Sequence, residues 1–405
     1  MNKQRICVIG LGYIGLPTAS MLATRGWPVH GVDVNASVVE TINDGRIHIV
    51  EPSLDVMVKA AVESGRLTAH TEPAEADLFI VAVPTPFRDG HQPDISYVEA
   101  ASRAMAPHLR PGNLIILEST SPVGTTERLA DIIRAERPDL VDGSGNLAVD
   151  VAHCPERVMP GRILVELVDN DRIVGGLTPE ATEAAAEFYH AFVNGEVLTT
   201  DCRTAEMAKL TENSYRDVNI AFANELSLIC HRLGIDVWEL IRLANHHPRV
   251  NILSPGPGVG GHCLAVDPWF IVSAAPEQAR LIRAAREIND SKVDFVVERV
   301  AERASRLKAP VIGCLGLAYK PNIDDLRESP ALEVTRKLRE RLPEAEILAC
   351  EPNLEHFEEF PLCSLDEVVR RADILVGLVS HRRFRRLSRH HLEGKMLIDT
   401  CGVFL

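Results

Sequence analysis

The sequence predicts an α/β protein, with two doubly wound domains joined by a helical central domain that carries a long linking helix. Three observations carry this expectation. A short apolar run at 5–9 leads straight into a glycine-rich turn, and a similar run with its own glycines recurs at 311–320. Strand-like apolar runs at 77–83 and 113–120 each end in residues suited to a turn or a ligand-binding edge. From about Arg203 to Leu233 the chain contains neither proline nor glycine, as one long helix requires. The expected boundaries are 1–200, 201–306 and 307–405.

With 405 residues the chain is too long for one compact domain. Hydrophobic residues make up 46% and charged residues 25%, an ordinary globular composition. A net charge of −14 argues against nucleic acid or an anionic membrane as a general partner. Local basic residues can still hold a small anionic ligand. The nine cysteines are scattered and include no C-x-x-C pair, so neither a zinc site nor a disulfide framework is expected. His246 and His247 lack a third partner nearby, and no metal is expected there. No apolar run approaches the ~18 residues of a membrane span. Residues 1–5 run directly into a strand pattern, so no signal peptide and a cytoplasmic location are expected.

The first element is the apolar run Arg5-Ile6-Cys7-Val8-Ile9. Gly10-Leu11-Gly12-Tyr13-Ile14-Gly15 follows, then a helical stretch from Leu16 to Arg25, then Val29-His30-Gly31-Val32-Asp33. Strand, G-x-G-x-x-G, helix, strand and acid together make the dinucleotide fingerprint. Gly10 makes the turn, Gly12 lets a pyrophosphate approach, and Gly15 lets helix and strand pack. The helix N-terminus offers N–H groups to phosphate. Asp33 accepts ribose hydroxyls and repels a 2′-phosphate, which favours NAD over NADP.

The strand at 77–83 ends in Pro84-Thr85-Pro86, at the edge where such sheets bind ligands. The next one brings Ser119, Thr120 and Ser121 to the same edge; Ser121 and Thr125 either line it or cap the following helix. A further strand at 149–154 leads to Glu156, read either as a base or as a salt-bridge partner of Arg157. Segments 173–176 and 195–198 complete the first sheet. On the long helix, Lys209, Asn213 and Arg216 share one face, either a functional stripe or a solvated one. Val218, Phe222, Leu226 and Ile229 continue as an apolar stripe suited to a neighbouring domain or a second subunit.

Residues 255–268 hold four glycines and two prolines ahead of Cys263. Such a run forms a tight loop, not a regular element. Cys263 is either a small buried residue after a turn or a nucleophile activated by His262 and a helix N-terminus. Beyond it lie a helical stretch at 279–304 and strands at 311–315, 345–350, 373–379 and 396–399, so the second terminal domain repeats the first in degenerate form. Both are expected to be Rossmann-like. Arg382, Arg383, Arg385 and Arg386 read as a solvated face or a phosphate contact.

A cysteine nucleophile in an NAD enzyme suggests a specific chemistry. Alcohol oxidation gives an aldehyde, thiolate addition and a second hydride transfer give a thioester, and hydrolysis gives an acid. At this point the chain resembles the UDP-glucose/GDP-mannose dehydrogenase family, nearly end to end. The resemblance rests on GLGYIGLP at 10–17, VPTP at 83–86, ESTSPVGTT at 118–126 and PERVMPG at 155–161. It continues in the stretch 206–226, in GPGVGGHCLAVDPWF at 256–270 and in GLAYKPNIDDLRESPALEV at 316–334. HPRVN and GVGGHCLAVDP are similar to the branch acting on UDP-N-acetylhexosamines.

The resemblance implies Cys263 as nucleophile, Lys209 as acid/base residue near the substrate C6 oxygen, and Asn213 as its oxyanion partner. Asp267 then partners Lys209 and a bound water, Glu156 is the base for thioester hydrolysis, and Thr120 lies beside the same water. It implies NAD contacts from Tyr13, Ile14, Asp33, Thr85, Thr126 and Arg327. The nucleotide sugar falls to Lys209, Asn213, Arg157, Val158, Arg216, His247, Arg249, Gly260, Tyr319 and Lys320. His247 and Arg249 are implied to come from the second subunit of a homodimer built on the long helix. The implied substrate is UDP-N-acetyl-D-mannosamine, oxidised at C6 for surface polysaccharide such as enterobacterial common antigen; the alternatives are UDP-N-acetylglucosamine and UDP-glucose. Two departures stand out. Pro160 occupies the place of a second family glutamate, and Cys401 stands where a basic residue is expected near Asp399. Two competing readings are a single-step hydroxyacid dehydrogenase, which has no use for Cys263, and an NAD-sensing binding protein, which needs neither Lys209 nor Cys263.

Overall fold

The computed structural model describes residues 4–261 and 263–404. They divide into two compact units, Met1–Thr211 and Glu212–Leu405. The first unit holds strands β1 (Ile6–Ile9), β2 (Val29–Val32), β3 (Leu67–His70), β4 (Leu78–Val81), β5 (Phe87–Arg88), β6 (Gln92–Pro93), β7 (Leu114–Leu117), β8 (Asp150–His153), β9 (Arg172–Gly176) and β10 (Val197–Asp201). Eight of these form one sheet in the order β10-β9-β8-β7-β4-β1-β2-β3. From β1 the chain winds outward through β2 and β3, then returns and winds the other way from β4. The winding therefore reverses between β1 and β4, and the carboxyl ends of these two strands carry the glycine turn and Pro84-Thr85-Pro86.

The central strands β1, β4 and β7 are apolar throughout because both faces are covered. Ile6, Val8, Leu78, Ile80, Leu114 and Ile116 pack on one side with Leu16, Leu22 and Leu54. Cys7, Ile9, Phe79, Val81, Ile115 and Leu117 pack on the other with Val98, Leu129 and Ile133. The expected strands at 173–176 and 195–198 do finish the sheet. However, β9 pairs antiparallel with β8, so β9 and β10 run against the rest. The small β5–β6 hairpin was not anticipated from the sequence.

The long helix Cys202–Leu233 crosses the division between the units. Its 32 residues span about 48 Å at 1.5 Å per residue. Its start is capped by Asp201, which accepts the Thr204 N–H (3.0 Å) and hydroxyl (2.7 Å). In the second unit a parallel sheet has the order β12-β11-β13-β14, with β11 Val311–Leu315, β12 Glu346–Cys350, β13 Ile374–Gly377 and β14 Met396–Asp399. Its faces alternate as in the first unit: Ile312, Cys314 and Ile374 on one side, Leu315, Leu348 and Leu375 on the other. The repeat extends to detail. Gly10 and Gly316 both follow a first strand with positive φ (93° and 100°). Asp33 accepts the Leu11 N–H (3.2 Å), and Glu351, after β12, accepts the Leu317 N–H (2.8 Å). The Arg382–Arg386 cluster is exposed, on a turn and a short 3₁₀ segment.

Candidate active site

In the first unit the glycine turn has the geometry of a dinucleotide cradle. A Cβ on Gly10 would lie 2.4 Å from the Ala82 carbonyl oxygen, and one on Gly15 would lie 1.8 Å from the Gly10 carbonyl oxygen. One on Gly12 would meet nothing within 4 Å. Gly10 and Gly15 are therefore glycines for packing, whereas Gly12 leaves open space for a ligand. The helix Gly15–Thr24 begins with no side-chain cap and no acid in its first turn, so its N–H groups and positive dipole end are left to an anion. Tyr13, Ile14 and Asp33 are half-buried around this turn. Asp33 also accepts the Asn35 N–H (2.9 Å), which fixes its carboxylate at the end of β2. These residues fit NAD.

Thr85 donates its hydroxyl to the Thr120 carbonyl (2.5 Å), tying the β4 and β7 edges together. Neither Ser121 nor Thr125 caps the next helix. Ser121 donates to Ser119 and Thr125 to Pro122, while Gly124, at φ 96°, provides the turn. Thr126 is fully buried, and both its N–H (2.8 Å) and its hydroxyl (2.6 Å) go to Glu206. Glu206 also accepts the Gly124 N–H (2.6 Å). This carboxylate holds the first turn of the helix Thr125–Glu136, which carries Thr126, a role sequence spacing did not reveal.

Glu156 is buried after β8, with a different partner from the one the sequence suggested. Its Oε2 pairs with Arg172 (2.7 Å), not with the Arg157 side chain, while its Oε1 accepts the Arg157 N–H (2.6 Å). The Arg157 guanidinium donates to the Asp171 carbonyl (3.1 Å), and Val158 is half-buried beside it. On the same face of the sheet, Tyr189 donates to the buried Glu118 (2.6 Å). Burial, reinforced by the Glu156 charge, pushes the Glu118 carboxyl well above the carboxylate range.

In the second unit, Cys263 sits half-buried in the turn just ahead of the helix Asp267–Ala274. Its carbonyl accepts the Val266 (3.0 Å) and Asp267 (2.8 Å) N–H groups. His262 lies outside the described residues. Asn213 donates one amide N–H to the Asp267 carboxylate (2.5 Å), and the amide carries a second N–H donor. Lys209 stands one turn earlier on the same helix, half-buried, and Arg216 is exposed. The glycine loop is pressed against its surroundings. A Cβ on Gly260 would lie 2.4 Å from the Glu328 carbonyl oxygen, and one on Gly261 would lie 2.9 Å from the Tyr319 ring. The Gly261 N–H donates to the Arg327 carbonyl (3.1 Å). Tyr319 and Lys320 are half-buried, and the Arg327 guanidinium pairs with Asp325 (2.6 Å). His247 and Arg249 are exposed, with the Arg249 N–H donating to His247 Nδ1 (3.3 Å). Cys401 turns its thiol to the Gly377 carbonyl (3.5 Å) and adds no cation beside Asp399.

Similarity to known proteins agrees with this geometry. Models of the UDP-glucose/GDP-mannose dehydrogenase family match in three successive stretches: the NAD binding domain at 4–193, the central domain at 203–291 and the UDP binding domain at 313–404. The chain is 57% identical, over all of its length and 97% of the relative, to an NDP-N-acetyl-D-galactosaminuronic acid dehydrogenase of Ralstonia nicotianae. It is 54% identical, over the whole of both chains, to the UDP-N-acetyl-D-mannosamine dehydrogenase of Escherichia coli. A solved UDP-D-ManNAc dehydrogenase of Pyrococcus horikoshii superposes with a TM-score of 0.90 at 41% identity, covering 99% of this chain and 96% of that one.

The different roles of the glycines can be separated by experiment. Gly12→Val keeps the wild-type melting temperature and weakens NADH binding by tenfold or more, about 1.4 kcal/mol, in a fluorescence titration. Gly15→Ala instead lowers stability by about 1–3 kcal/mol in thermal unfolding, because the loop must move.

Proposed function

Because the chain belongs to the UDP-glucose/GDP-mannose dehydrogenase family, we propose that it oxidises UDP-N-acetyl-D-mannosamine at C6 to the uronate, in two NAD-dependent steps. The observation that carries the reading is the linkage of Cys263, Asp267 and Asn213. The Cys263 carbonyl anchors the Asp267 backbone, and the Asp267 side chain anchors the Asn213 amide. A thiol and an oxyanion donor are thereby held in one structure.

NAD, when bound, supplies the hydride acceptor for each oxidation. Lys209, through a water partnered by Asp267, takes the C6 hydroxyl proton as the aldehyde forms. The Cys263 thiolate adds to C6, making a C–S bond, and Asn213 with Lys209 stabilises the oxygen of the resulting thiohemiacetal. Loss of the second hydride and the hydroxyl proton leaves a thioester. Glu156 takes a proton from the water, positioned with Thr120, that attacks the thioester; the C–S bond breaks and the thiolate returns. The balance is one alcohol, one water and two NAD+ giving one carboxylate, two NADH and three protons.

In the same proposal, residues 1–200 bind NAD, 201–306 bring Lys209 and Cys263, and 307–405 bind UDP with Tyr319 and Lys320. Arg157, Val158, Arg216 and Gly260 complete the nucleotide-sugar contacts, and Thr126 and Arg327 complete those to NAD. The enzyme works in the cytoplasm, where both NAD and nucleotide sugars are available, and supplies surface polysaccharide synthesis of the enterobacterial common antigen kind. Among the described residues no helix is long and apolar enough to cross a membrane. A homodimer forms on the long helix, where Tyr215, Phe222 and Ile229 recur every seven residues and are 72%, 52% and 47% exposed. The partner subunit in this dimer supplies His247 and Arg249.

Cys263→Ala is expected to abolish acid formation from UDP-N-acetyl-D-mannosamine while NADH binding is retained; acid release at the wild-type rate would refute the thioester route. UDP-N-acetyl-D-galactosamine and UDP-N-acetylglucosamine run in parallel decide the sugar, with the highest kcat/KM expected for the mannosamine nucleotide. Phe222→Asp combined with Ile229→Asp is expected to shift the sedimenting species from two chains to one. A wild-type protein that sediments as a single chain would contradict the dimer.

A further inference from the structure

The buried cluster beside β8 and β9 contains more ionisable groups than the reaction uses. Glu156, Arg172, Glu118, Tyr189 and Cys154 are each 6% exposed or less, and all belong to the first unit. Arg172 is the one cation among them. It donates to Glu156 Oε2 (2.7 Å) and to the Leu167 carbonyl (3.0 Å), and its guanidinium lies 5.4 Å from the centre of the Tyr189 ring. Tyr189 donates to Glu118 Oε1 (2.6 Å), while Glu118 Oε2 and Arg172 Nε are buried without a hydrogen-bond partner. One guanidinium can neutralise one carboxylate. With two carboxylates in a dry core, one of them is the proton holder. The geometry assigns the cation to Glu156, which leaves Glu118 protonated.

We propose that Glu118 is a positioning residue whose charge state, acting through Tyr189 and Arg172, sets how firmly Arg172 holds Glu156 during thioester hydrolysis. This rests on the role proposed for Glu156 and extends it. While Glu118 is neutral, Arg172 is held by Glu156 alone. When Glu118 ionises, its negative charge competes for Arg172 and loosens the ion pair that occupies Glu156. The other groups facing Glu118 do not titrate in the working range: burial pushes the Cys154 thiol up to about 12 and the Tyr189 phenol well above its usual value. Glu51, the other buried carboxylate near this loop, is occupied by the Gly161 and Ile163 N–H groups (2.8 Å each).

The test is a pre-steady-state pH profile with UDP-N-acetyl-D-mannosamine, following NADH and released acid separately. In wild type, acid release is expected to climb again above the ordinary carboxylate range. Glu118→Gln mimics the neutral carboxyl, so it should match wild type at low pH and fall about tenfold below it at alkaline pH, with NADH bursts unchanged. Tyr189→Phe removes a hydrogen bond that favours the charged form, so the climb should move to higher pH. Identical acid-release profiles for wild type and both variants would overturn the assignment, as would loss of rate equal at every pH. Mass spectrometry of quenched Glu156→Gln keeps the two readings apart. A Cys263 acyl adduct upholds the thioester route whatever Glu118 does; no adduct removes that route and this role with it.

Discussion

A buried arginine fastens the second unit together. Arg286 is 2% exposed and pairs with the fully buried Asp217 of the long helix at 2.8 Å, and with Asp290. Asn289 donates to Asp217 (2.8 Å), Asn224 donates to Asn289 (2.8 Å), and Asn224 accepts the Gly256 N–H (2.8 Å). Arg286 also reaches the Leu264 carbonyl (3.4 Å). Two helices and both ends of the glycine loop are thus held by one polar network. Such a network stabilises only when its members are paired, since removing one partner leaves a buried charge at a cost of about 3–5 kcal/mol. It leaves the loop little freedom in where it presents Cys263. The loop glycines then serve a second need: Gly260 and Gly261 lie where any side chain would strike Glu328 or Tyr319.

The two terminal sheets use one device for two purposes. In each, an acid after the second strand accepts an N–H from the turn after the first. Asp33 stays half-buried, with open space over Gly12, as a ribose and pyrophosphate site requires. Glu351 is 3% exposed and is occupied by the Leu317 and Ala318 N–H groups and by His381 (3.0 Å). It holds the turn that leads to Tyr319 and Lys320 and has no carboxylate face left for a ribose. The same backbone plan serves NAD in one case and, in the function proposed, the UDP group in the other.

What could be read in the sequence was local. Strands buried on both faces show as continuous apolar runs, and the glycine fingerprint is contiguous, so the sheets, the long helix and the Gly10–Gly15 turn were legible. The partners of the site residues were not. Glu206 lies 80 positions from Thr126, Tyr189 lies 71 from Glu118, and Arg172 lies 16 from Glu156. Neighbouring residues misled in the same way: Arg157 adjoins Glu156 in sequence, yet its guanidinium turns to Asp171. The reversed direction of β9 and β10 was equally hidden, because a strand's residue pattern reads the same in either direction.

The central claim is that one active centre takes an alcohol to an acid without releasing the aldehyde. The most direct measurement is the number of NADH formed per UDP-N-acetyl-D-mannosamine consumed, with the sugar product identified. Two NADH and a uronate are predicted. One NADH and a released aldehyde would contradict the account and return Cys263 to a purely packing role.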